Sequence, residues 1–222
     1  MTRGKAWWAA LPAAVLVLAV GSSADAQVTP APGRDQNWGV ATTVTMATAG
    51  AVELLMPRIF YSEPESTVGW KARWHVSQLA PVMTLTVLTL ANELLVKQAI
   101  GDRPPGCDET NTPGPHCDGY ASPSTQAFGG FAALGQGAAV WLFDMTKWNG
   151  GRFNLGSFIG NVAVPFVLAG ITDVGRSVGN WESGGQIVAG SVAGLGFGFL
   201  MGMTYSLLAR PGCGYTGNLI CW

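Results

Sequence analysis

Charge is the first thing this chain has little of. Asp, Glu, Lys and Arg make up 11% of 222 residues, and the net charge is -1, where an ordinary soluble domain carries roughly 25% charged residues. A net charge of this sign argues against nucleic acid as a partner, since a phosphate backbone calls for a basic surface. Histidine is scarcer still, with only His75 and His116. His116 has no second histidine and no Cys-x-x-Cys pair beside it, so a tetrahedral zinc set cannot be assembled, and neither a metal nor a cofactor is expected. The four cysteines fall in two local pairs, Cys107 with Cys117 and Cys213 with Cys221, each flanking a polar loop. On an exported chain this arrangement predicts two disulfides, although three pairings are formally open.

Apolar residues and glycine are abundant, with 31 glycines in the chain. Glycine and alanine inside apolar runs point to helices that pack closely in lipid. Five such runs, at 37–60, 76–100, 127–145, 156–174 and 186–209, predict an all-α fold, a helical bundle of about five long helices that crosses a membrane several times. Pro165 is expected to kink the fourth. Gly190, Gly194, Gly198 and Gly202 recur every fourth residue and line one helix face, as a packing seam within the bundle or as the contact surface of a homo-oligomer. Ahead of the bundle, Arg3 and Lys5 precede a short apolar run and Ala24-Asp25-Ala26. This pattern reads as a signal peptide over 1–26, with a retained first helix as the alternative. Residues 27–222 then form one domain.

The longest polar interruption, 97–126, sets Lys97 and Arg103 at the end of one apolar run and Ser124 at the start of the next. Arg176 follows the fourth run. Cations and a hydroxyl converging on one point are what a phosphate site requires. Glu93 and Lys97 are also spaced as an i, i+4 ion pair.

The tokens Lys97 to Arg103-Pro104, Pro123-Ser124 and Arg176, in this order and at these helix ends, resemble the type 2 phosphatidic acid phosphatase superfamily, which includes bacterial acid phosphatases and vanadium haloperoxidases. The resemblance implies that Lys97, Arg103, Ser124 and Arg176 hold phosphate. It covers roughly residues 76–209. Five residues separate Lys97 from Arg103 where the family has six, which would turn Lys97 by about 100° on an α-helix. Gln126, Glu182 and Gln186 stand where the family has its two catalytic histidines and its aspartate. Glutamine exchanges no proton near neutral pH and cannot be a general acid or base. The expectation is therefore a catalytically inactive, phosphatase-like membrane protein that binds a phosphorylated lipid or another anion. An internal pair between Glu182 and Arg176 or Arg103 would fill the same site.

Two alternatives differ in class. The first is an active lipid-phosphate or phosphomonoester phosphatase with Glu182 as nucleophile and His116 as acid. The second is a structural envelope protein associating through its glycine face. Lys and Arg fall mainly in the 58–75 and 147–152 connections. That asymmetry puts the site on the periplasmic side of a bacterial-type inner membrane, with an exported soluble protein as the alternative.

Overall fold

The structure is a computed structural model and describes residues 35–60, 79–105, 107, 119–143, 145–146 and 151–208. The signal segment, His75, His116, Cys117, Cys213 and Cys221 lie outside the described residues. Cys107 is buried and disulfide-bonded.

Five helices and no strand occur among the described residues: α1 Gln36–Phe60, α2 Ala80–Ile100, α3 Thr125–Phe143, α4 Leu155–Val178 and α5 Gly184–Leu208. The apolar runs predict all five. α4 runs further than its run does, through Arg176 to Val178. Asp173 and Arg176 find tertiary partners, so the helix continues to Gly179, and Asn180 then adopts φ 60°. α2 ends at Gly101 in the left-handed conformation that favours glycine, with its N–H returned to the Lys97 carbonyl.

α2, α4 and α5 are each long and apolar enough to cross a membrane. They expose large apolar side chains such as Val87, Leu95, Phe166, Val174, Val192 and Leu200. Three such helices with an apolar exterior mark a membrane-embedded protein.

The helices alternate in direction. The start of α1 meets the end of α4, where Thr42 and Trp38 lie against Gly175. The start of α2 meets the end of α5 through a Thr84–Tyr205 hydrogen bond of 3.1 Å. α3 and α5 run side by side in the same direction. α3 is the central element, with most of its 19 residues buried.

The glycine face of α5 is consumed by this packing. A Cβ at Gly190 would sit 2.4 Å from the Ser124 carbonyl oxygen, at Gly194 2.2 Å from that of Phe128, at Gly198 2.0 Å from that of Ala132, and at Gly202 2.7 Å from that of Gln136. Each glycine meets the next turn of α3. The packing-seam reading of this face is the one observed, with α3 against it.

Two π turns interrupt the helices, Asn92–Val96 in α2 and Ile159–Ala163 in α4. A π turn closes i→i+5 hydrogen bonds and shifts the angular phase of every residue after it. Pro165 lies just beyond the second, where the missing proline N–H is absorbed.

Candidate functional site: a closed ion-pair cluster

The end of the bundle where α2 and α4 finish and α3 and α5 begin gathers Lys97, Ser124, Arg176, Glu182 and Gln186. Lys97 immediately follows the first π turn. The phase change there is comparable to the roughly 100° expected from the missing residue, and Lys97 is buried in the cluster despite the short spacing. A chain of polar contacts then ties α2 to α3. Asn92 Nδ2 donates to the Thr125 hydroxyl at 3.0 Å and to the Pro123 carbonyl at 3.2 Å. Thr125 donates to Glu93 Oε2 at 2.5 Å, and Lys97 Nζ reaches the same oxygen at 2.8 Å. The Ser122–Pro123 peptide is cis.

Glu182 is the centre. Arg176 Nε donates to its Oε2 and Arg176 Nη2 to its Oε1, both at 3.1 Å, a forked pair with both side chains buried. Lys97 Nζ lies 4.0 Å from Oε1, and Ser124 hydrogen-bonds the carboxylate. Burial alone would push the Glu182 carboxyl up. The Arg176 guanidinium, the Lys97 ammonium and the hydrogen bonds from Arg176 and Ser124 together outweigh it and hold the carboxyl below its ordinary value. The guanidinium is also stacked 4.9 Å from the Trp181 ring centre. Trp181 Nε1 donates in turn to the Asp35 carbonyl, so the start of α1 fixes the ring.

Gln186 serves the backbone. Its Nε2 donates to Asp102 Oδ2 at 2.9 Å and to the Arg103 carbonyl at 2.8 Å, and its Oε1 accepts from Ser183 N–H. This latches the α2–α3 connection to the start of α5. Arg103 is the expected anion ligand that does not join: its side chain is exposed, and among the described residues its carbonyl makes the contact, with Gln186. Gln126 is buried and lines a groove of about 80 Å³ between α1, α2 and α3. Glu93, Thr125 and Gln126 stand at one end of this groove, Met46, Val82, Leu85 and Ala133 along it, and Gln136 at the other end.

Comparison with protein-family models, with curated proteins and with solved structures gives no match.

Sequence order alone assembles Lys97, Ser124, Arg176, Glu182 and Gln186, and it assigns the Glu93–Lys97 pair. It misses Asn92, Thr125, Asp102 and Trp181. Their only signal is polarity next to an apolar run. Among the described residues no group of three or more His, Cys, Asp or Glu could hold a metal.

Chemically, the described cluster is balanced. Lys97 and Arg176 face Glu93 and Glu182, and both Glu182 oxygens are engaged by the guanidinium. A carboxylate held in this way is a poor nucleophile, and neither Gln126 nor Gln186 supplies a proton.

Proposed function

We propose that this is a membrane-embedded, phosphatase-like protein that does not hydrolyse phosphoesters, in which its own Glu182 carboxylate occupies the place of a phosphate. The forked Arg176–Glu182 pair carries the reading. Arginine forks match carboxylate and phosphate alike. An anion can enter only by displacing Glu182, so the native role is to close the bundle end and hold α2, α3 and α5 in register. The basic connections between α1 and α2 and between α3 and α4 are assigned to the cytoplasmic side, which puts the closed cluster at the outer, periplasmic face.

A second reading is supported by the groove. Its apolar walls run from the Glu93–Thr125–Gln126 end down between α1 and α2, the shape an acyl chain would fill below a head group. On this reading Glu182 swings out and a phosphorylated lipid takes its place.

One set of measurements tests both. Phosphate release from phosphatidic acid and from a generic phosphomonoester is followed for the purified protein in detergent, beside a Gln126→His, Glu182→His, Gln186→Asp variant. Thermal unfolding with and without inorganic phosphate is followed for the native protein and Glu182→Ala. The closed-site reading expects no turnover by the native protein and phosphate-dependent stabilisation of Glu182→Ala alone. Stabilisation of the native protein by phosphatidic acid would favour the lipid reading instead. Native turnover would overturn both.

A further inference from the structure

Far from this cluster, α1 carries a carboxylate that the closed-site reading does not use. Glu53 is 0% exposed, and neither of its oxygens has a hydrogen-bond partner among the described residues. The same holds for Asn161 Oδ1 and both side-chain polar atoms of Gln136. A charge so placed is ordinarily paired or holds an ion, because an uncompensated buried charge is strongly unfavourable.

The neighbours are acceptors. A Cβ at Gly137 of α3 would lie 2.4 Å from Glu53 Oε1 and 1.9 Å from the Asn161 carbonyl oxygen, so both oxygens converge on one small patch of α3. Asn161 sits in the π turn of α4. The residue four further on, whose N–H an α-helix would direct to this carbonyl, is Pro165, which has none. The Asn161 amide nitrogen is turned back to the carbonyl and hydroxyl of Ser157, leaving the amide oxygen outside that bond. Two facing acceptors repel unless a proton or a cation lies between them.

Among the described side chains no cation supplies it. α3 and α5 carry no charged residue over Thr125–Phe143 and Gly184–Leu208. On α2, Lys97 is engaged by Glu93 and Glu182 at the other end of the bundle. On α4, Asp173 accepts from Ser191 and Arg176 holds Glu182. Arg152, ahead of α4, is exposed.

We propose that Glu53, with the carbonyl oxygen of Asn161, forms a buried site for one monovalent cation, either a proton on Glu53 that is donated to the Asn161 carbonyl or a sodium ion coordinated by these oxygens. A buried carboxylate facing a helix carbonyl oxygen suits both.

The test uses the full chain in detergent. Thermal unfolding is compared in sodium chloride and in choline chloride at equal ionic strength, and infrared spectra are recorded for the native protein and Glu53→Gln. A sodium site raises the native Tm in sodium chloride and leaves Glu53→Gln unmoved. A proton site shows no sodium effect but a carboxylic-acid C=O band that Glu53→Gln abolishes. If Glu53→Gln does not fold, Glu53→Asp withdraws the carboxyl from Gly137 and should weaken the sodium response or move the acid band. An ionised Glu53 with no sodium response, or a response unchanged in either variant, overturns the proposal.

Discussion

Arg176→Ala is the most direct perturbation of the closed cluster. It leaves Glu182 buried with Lys97 at 4.0 Å and Ser124 as its remaining partners. At 4 Å one ion pair is worth about 4 kcal/mol at an effective dielectric of 20, so Lys97 offsets part of the lost attraction but restores no forked hydrogen bonds. Breaking a buried pair from one side costs about 3–5 kcal/mol. Loss of the stacking on Trp181 adds about 0.5–2 kcal/mol. Replacing both partners together, Arg176→Met with Glu182→Leu, removes the stranded charge, and such exchanges are often neutral or stabilising by about 1–4 kcal/mol. The double variant should therefore be more stable than Arg176→Ala, with Lys97 retaining Glu93. Equilibrium unfolding of the three proteins in mixed detergent checks this. An Arg176→Ala loss below about 1 kcal/mol, the range of an exposed pair, would refute the claim that the pair is desolvated.

Three further outcomes follow from the same geometry. Because the Glu182 carboxyl is held below its ordinary value, the unfolded chain takes up its proton first as pH falls. Its contribution is whole above the unfolded carboxylate pKa of about 4.3 and disappears as pH drops through the lower folded value; acid unfolding of Glu182→Gln should lack that component. Gly198→Ala must open the α3–α5 seam and should destabilise by about 1–3 kcal/mol, while Gly196→Ala, which meets nothing within 4 Å, should be neutral or stabilise by up to about 1 kcal/mol; thermal melts compare them. Asn92→Ala removes both donors that tie the π turn to α3 and should cost about 1–3 kcal/mol, read in the same melts.

The helices were legible because each is an apolar run of spanning length bounded by polar residues, and the α5 glycine spacing disclosed a packing face. Its partner was not legible, since nothing in the spacing distinguishes α3 of the same chain from α5 of another. Lys97 and Arg176 could be placed because their positions relative to helix ends are set by chain order. The π turns could not be foreseen: they depend on how Asn92 and Asn161 are engaged in three dimensions. The same limit explains Arg103. Its spacing resembles that of an anion ligand, but the latch from Gln186 takes the carbonyl and leaves the side chain in solvent. Nothing in its apolar run distinguishes Glu53 except its charge, and what faces it is decided by Gly137 and Asn161 on two other helices.

The seam and the cluster meet at one rung. Gly190 faces the backbone and Cβ of Ser124, whose N–H donates to the Gln186 carbonyl at 3.0 Å and whose side chain hydrogen-bonds Glu182. Gly202 faces Gln136 three turns away. A methyl at either position forces α3 and α5 apart, so Gly190→Ala and Gly202→Ala should both lose about 1–3 kcal/mol of stability. Only at Gly190 does the separation withdraw Ser124 from the carboxylate. Losing that hydrogen bond raises the folded value of the Glu182 carboxyl toward the ordinary range, so the acid transition of Gly190→Ala should begin at higher pH than that of Gly202→Ala at matched stability. Identical acid profiles would mean that the seam sets only the strength of packing and that the position of Ser124 is fixed from the α2 side, through Asn92 and Thr125.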